Sequence, residues 1–226
     1  MTAQAMLPPC NVDAIFVGAV AVLADDSRSS AIVKTAVSGA VQLTEAGLVG
    51  DAHADLQAHG GPDKALHLFP AEHYASLLAA FPAARNLLPG GLGENITTRG
   101  LSEDTVCIGD IFALGAARIQ VTQPRTPCWK IDRRTGCEGV AAHIAAHGCT
   151  GWHYRVLEPG AITAGDSLVH LDRPAGSVPL ARFWRTVRTP RPLSAALSLL
   201  AAAPGLSPEW VRKLQERIAR LCRNEA

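Results

Sequence analysis

A cysteine set among prolines and cations, Gln123-Pro124-Arg125-Thr126-Pro127-Cys128-Trp129-Lys130, is the stretch best equipped for chemistry. Two prolines separated by one residue pair hold the backbone extended and stiff. The thiol they present has Arg125 and Lys130 close in sequence. Neighbouring cations favour thiolate over thiol, and a thiolate is both a nucleophile and a soft metal ligand. The same residues also suit an ordinary loop cysteine, since free Cys often serves as a small core hydrophobe.

A second polar cluster lies upstream. Gly47-Leu48-Val49-Gly50-Asp51-Ala52-His53-Ala54-Asp55 is followed by His59-Gly60-Gly61-Pro62-Asp63-Lys64-Ala65. Glycines at this density allow close approach of backbone N–H groups to a ligand. Lys64 suits a phosphate or another anion, and His59 suits proton transfer near neutral pH. Glu94-Asn95 offers an amide with both donor and acceptor at a strand start, or plain turn chemistry. Arg155 is a fixed anion-binding fork if it points inward. His143 and His147 are four apart, a spacing that can bind zinc, but no third ligand is evident.

These residues need elements to position them. Alternating or β-branched apolar runs predict strands at Val12–Leu23, Ile32–Val37, Val41–Thr44, Ala65–Phe69, Val106–Phe112, Ala117–Thr122, Gly151–Leu157 and within Gly160–Leu171. Closely spaced short strands favour a mostly antiparallel sheet or barrel, and no G-x-G-x-x-G fingerprint follows a strand. Helices are expected from Pro70 to about Phe81 and over Glu138–His147, the latter stopped by Gly148. After Gly176 the pattern turns helical: Pro179–Val187, Ser194–Ala203 and Pro208–Cys222, with Ser194 and Ser207 as N-caps. The expected organisation is a β-rich body over 1–175 and a three-helix extension over 176–226.

Apolar residues form 48% of the 226, enough for a sizeable core. The six cysteines form no C-x-x-C pair, and no secretory signal or membrane-length apolar run is present, so a cytoplasmic protein with free thiols is expected. The formal charge of +1 hides an asymmetry. From Pro179 onward nine Lys/Arg face three Asp/Glu, a net of +6; elsewhere twelve face seventeen, a net of −5. The basic segment suits an acidic partner or a solvated helical face. A nucleic-acid role is not expected.

Taken in order, these motifs resemble the MOSC-domain family, named for the C-terminal domain of molybdenum-cofactor sulfurases, and most closely its YiiM-like branch. The resemblance rests on Gly50-Asp51 with Ala54-Asp55, His59-Gly60-Gly61-Pro62-Asp63-Lys64-Ala65, and Glu72-His73-Tyr74. It continues through Gly93-Glu94-Asn95, Ile108-Gly109-Asp110, Gln123-Pro124-Arg125 with Pro127-Cys128-Lys130, and Gly151-Trp152 with Arg155-Val156-Leu157. It implies a mostly β, barrel-like fold followed by a small three-helix appendage. It further implies a pocket for the molybdenum cofactor (molybdopterin), with Cys128 as molybdenum ligand and reduction of N-hydroxylated compounds such as purine bases as the activity. On that footing His59, Lys64, Arg125, Lys130 and Arg155 would supply contacts to the cofactor's phosphate, Asn95 would bind its pterin edge, and His59 would also donate protons. His153 stands where this branch is expected to carry an aromatic residue and receives no role. The chain has no flavin, haem or iron–sulfur signature, so electrons would come from a separate electron-transfer reductase. A homodimer is expected from the family. The alternative is a carrier of cofactor or sulfur that uses a Cys128 persulfide without turnover.

Overall fold

In the computed structural model, residues 6–22, 28–55 and 60–225 are described. Seven strands close into a barrel: β1 (Cys10–Val17), β2 (Leu66–Pro70), β3 (Ile96–Thr98), β4 (Ile111–Leu114), β5 (Ala117–Pro124), β6 (Trp152–Glu158) and β7 (Ser167–Asp172). Around the barrel the order is β7-β4-β5-β6-β2-β3-β1, and β1 returns to β7 through Cys10↔Leu168 and Asn11↔Ser167. Every neighbouring pair is antiparallel except β2–β3, which runs parallel with Leu68 opposite Ile96. Closure removes the unpaired edges that an open sheet would expose.

Alternation along the strands decides what fills the barrel and what faces out. Leu66 and Leu68 of β2, Ile119 and Val121 of β5, and Trp152 and Tyr154 of β6 join one core cluster. His67 and His153, which are register partners, therefore lie on the outer face of the wall. A second, smaller core holds Phe69, Tyr74, Leu77, Ile131, Val140 and Ile144. It is built by α1 (Glu72–Ala80), α2 (Lys130–Thr135) and α3 (Val140–His147).

Several boundaries differ from the sequence reading. The first strand ends at Val17, and the short Ala21–Val22 strand pairs with Ser29–Ser30; position 23 lies outside the described residues. Pro70 closes β2 rather than opening α1, because that register places it opposite Thr98. Helix α2 was not expected: six residues rich in charge show little periodicity, yet Ile131 and Thr135 are buried.

The helical segment forms α4 (Leu180–Arg188), α5 (Ser194–Ala201) and α6 (Pro208–Glu225). Ser207 caps α6, accepting from the Trp210 N–H at 3.3 Å. Ser194 does not cap α5; Leu193 holds that position without a side-chain bond. These helices share the barrel's core cluster through Phe183, Leu197, Leu200 and Leu214. Their approach requires two glycines. Gly109, at φ 92°, has no room for a Cβ beside the Pro204 carbonyl, and a Cβ on Gly205 would lie 2.8 Å from the Gly109 Cα.

Candidate functional site

One cavity of about 380 Å³ opens on the outer face of the barrel wall. Five of the residues expected from the sequence, Lys64, Asn95, Arg125, Cys128 and Lys130, line it. His59, the expected proton donor, lies outside the described residues. Arg155 does not line the cavity. Its guanidinium is engaged by Asp63, with Nε donating to Oδ1 at 2.9 Å, and by Gln120 at 3.3 Å. Arg155 thus fixes the 3-10 turn Pro62–Lys64, and the Thr122 hydroxyl holds the same turn through the Asp63 carbonyl at 2.7 Å. Its effect on the cavity is to position Lys64.

The Cys128 loop emerges from the end of β5, where both faces of the strand are covered: Thr122, Gln123 and Pro124 are all buried. The Arg125 N–H donates to the Gly151 carbonyl at 3.0 Å, and the Cys128 carbonyl accepts from Ile131 at 3.0 Å as α2 begins. The half-buried Cys128 is thereby held between a strand end and a helix start. Cysteines 10, 107, 137, 149 and 222 are likewise free.

Asn95 is placed at the cavity but turned to the protein. Its Oδ1 accepts from the His67 N–H at 3.0 Å, while Nδ2 donates to Asp51 at 2.8 Å and to the Phe16 carbonyl at 3.3 Å. Both amide hydrogens are committed to the protein, so Asn95 braces the site and offers a ligand no donor, only the remaining lone pair of Oδ1. Asp51 is the hub of this bracing. It also accepts from Gly18 N–H at 2.7 Å and from Lys34 Nζ at 2.7 and 2.8 Å. Lys34 lines the cavity, and burial pulls its ammonium below the usual lysine value although Asp51 opposes that pull.

Glu94 braces the opposite side. Its buried carboxylate accepts from the Tyr74 hydroxyl, from Gly90 N–H at 2.6 Å and from Leu92 N–H at 3.1 Å. The Leu92 carbonyl in turn accepts from Arg125 Nη2 at 2.8 Å. Of the two readings of Glu94-Asn95, Glu94 is thus an internal clamp that aims an arginine.

Three buried polar atoms on the cavity wall have no hydrogen-bond partner among the described residues: His67 Nε2, Gln123 Oε1 and Arg125 Nη1. Buried polar groups are nearly always satisfied, so such a set marks a place for a ligand or ordered water. His67 is held neutral: burial first, then the charges of Arg125, His153 and Lys34, push it well below the ordinary histidine range. The His67 and His153 rings lie 5.0 Å apart. Neither His67 nor Lys34 was singled out in the sequence. A histidine between Leu66 and Leu68 in an apolar run was the available signal, since it must face away from the barrel core. His143 and His147 stack at 3.9 Å, but no group of three metal-ligating side chains occurs among the described residues.

The cavity is cationic: among the described residues, Lys34, Lys64, Arg125, Lys130 and Lys213 line it against one carboxylate, Glu209. Glu209, Trp210 and Lys213 come from α6, so the helical extension supplies a wall of the site.

A closed seven-stranded barrel with helices packed on it is the fold of solved YiiM structures. The chain belongs to the MOSC domain family, whose model matches residues 55–169. It is 38% identical over 193 residues to Protein YiiM of Escherichia coli (strain K12), covering 85% of this chain and 86% of that one. The crystal structure of YiiM from Geobacillus stearothermophilus matches with a TM-score of 0.79 at 31% identity, covering 93% of this chain and 100% of that chain. A Gibberella moniliformis protein named Reductase is 35% identical over 175 residues, which span 76% of this chain and 30% of that one. No helix among the described residues is long and apolar enough to cross a membrane.

Proposed function

We propose that the cavity receives the molybdenum cofactor, with the Cys128 thiolate as metal ligand, and that the loaded protein reduces small N-hydroxylated compounds, N-hydroxylated purine bases among them. The observation that carries this is the convergence on one cavity of a free thiol and three unpartnered buried polar atoms. A volume of about 380 Å³ is within the usual range for cofactor and small-molecule sites.

The residues present fit such a group. A soft thiolate suits a metal already held by sulfur ligands. Arg125 Nη1 is a donor without a partner among the described residues, and with Lys64 and Lys130 it suits a phosphate. Gln123 Oε1 accepts a ring N–H, and neutral His67 offers one donor or acceptor through Nε2. When bound, the metal centre supplies the two-electron chemistry. Overall the N–O bond breaks, two electrons and two protons enter, and an amine and water leave. The electrons come from a separate electron-transfer protein.

The test is the metal and pterin content of wild type and Cys128→Ala purified from a host that makes the cofactor, with reduction of N-hydroxyadenine assayed in parallel. Molybdenum and pterin in wild type, metal lost in the variant, and turnover only in wild type support the proposal. Absence of cofactor in both, from a host that loads another molybdoenzyme, refutes it. An extra sulfur on Cys128 without turnover would replace it with the carrier role.

A further inference from the structure

The first turn of α6 gives the cavity a side unlike the rest. Among the described lining residues Glu209 is the one carboxylate, and Trp210 is the one Phe, Tyr or Trp. Both are held before any ligand arrives. Glu209 Oε2 accepts from Lys64 Nζ at 2.8 Å, and Oε1 accepts from Lys213 Nζ at 2.5 Å. A carboxylate offers about four lone-pair sites, so acceptor capacity is left over. Partial burial pushes Glu209 up, but the hydrogen bonds from Lys213 and Lys64 outweigh it and hold the group below the usual glutamate value, ionised at neutral pH.

Trp210 is equally constrained. Phe183 meets its ring edge-to-face at 5.1 Å and 87°, and the Lys213 ammonium sits 5.3 Å from its centroid. Its backbone N–H is capped by Ser207. The half-buried indole also borders a second groove shared with Trp184 and Arg217, so it forms a partition between two hollows. A pre-set aromatic surface beside an ionised acceptor matches a flat nitrogen heterocycle carrying N–H donors. Stacking on an aromatic side chain tolerates any such ring, while the carboxylate selects those with a donor at the edge.

We infer that Glu209 and Trp210 form the substrate-selecting subsite, taking a flat N-hydroxylated heterocycle whose ring packs on Trp210 and whose N–H donates to Glu209. This rests on the proposed reductase reading and adds the part of the chain that chooses the substrate. The unpartnered atoms of His67, Gln123 and Arg125 remain for the cofactor. Selection therefore resides in the helical extension, outside the segment matched by the family model.

The experiment compares wild type, Trp210→Ala, Trp210→Phe and Glu209→Gln as cofactor-loaded proteins. Two substrates are used: N-hydroxyadenine, and acetamidoxime, which has no ring. Calorimetric titration with adenine gives a second readout independent of turnover. Trp210→Ala should raise the adenine Kd and the KM for N-hydroxyadenine about tenfold, several-fold more than the KM for acetamidoxime, at unchanged metal content. Glu209→Gln should act in the same direction by about fivefold. Trp210→Phe keeps a ring against Phe183 and should retain most of the affinity, which separates stacking from damage to the helix. Equal losses for both substrates, or adenine binding unchanged in Trp210→Ala, would overturn the inference. If wild type reduces neither compound, the reductase reading fails, and adenine binding alone then decides the subsite. Failure of wild type to bind adenine overturns the subsite as well.

Discussion

Lys64, on the turn entering β2, donates to Glu209 on α6 at 2.8 Å, joining positions 145 residues apart. This pair ties the helical segment to the mouth of the cavity, and its side chains are only 10% and 33% exposed. Lys64→Met should cost about 1–2 kcal/mol, between the values for exposed and buried pairs, because Glu209 keeps Lys213 as a partner. Urea denaturation reads the change as a lower midpoint at an unchanged slope. No shift in midpoint would show that the tie contributes nothing to docking.

A larger cost attaches to Asp51. Lys34 and Asp51 are 6% and 2% exposed, and Asp51 also collects Asn95 and the Gly18 N–H. Asp51→Ala strands a buried ammonium and should destabilise by about 3–5 kcal/mol. The double variant Asp51→Ala with Lys34→Met should recover part of that loss. Thermal melts of the single and double variants measure the recovery, and equal melting points would contradict the coupling.

Glu94 should matter to ligand binding without touching the ligand. Glu94→Ala leaves the Gly90 and Leu92 N–H groups and the Tyr74 hydroxyl without their acceptor. The expected cost is about 2–4 kcal/mol, with a loosened Arg125 and less cofactor retained on purification. Glu94→Gln keeps an acceptor oxygen and should lie between. Metal content per chain is the discriminating measurement, because a stability loss alone would leave it unchanged in the folded fraction.

Acid should destabilise the fold through His67. Its folded value is pushed well below 6.5, chiefly by burial, whereas the unfolded chain titrates normally. Below about pH 6.5 the unfolded state therefore binds the extra proton, stability rises with pH, and it is lost as pH falls. The slope from one such group is at most about 1.4 kcal/mol per pH unit. His53 contributes in the same direction, again mainly by burial. His67→Leu should flatten the stability profile between about pH 5 and 6.5, read from urea midpoints. An unchanged profile would mean that His67 takes up its proton in the folded state.

Much of the frame was legible because it depends on local pattern. The alternation in Ala117–Thr122 and Gly151–Leu157 marked two barrel strands, β5 and β6, and the change of period after Gly176 marked the helices. Helix α2 was hidden because its one strongly apolar residue, Ile131, shows no repeat. Pro70 misled because a proline that starts a helix and one that ends a strand look alike until the strand's partner is known.

Residue types and motif order by themselves determined the family, the strand-rich body, the helical extension, and the placing of Cys128 among cations. Only the tertiary structure decided that the cavity lies outside the barrel, that Asn95 and Arg155 spend their polar groups on Asp51 and Asp63, and that Glu209 and Trp210 close the wall. The physical reason is range. Strand alternation and helix period act over a few residues, whereas which side of a wall is covered, and which carboxylate reaches a given cation, depends on chain closure between β1 and β7 and on helices docked from far along the sequence.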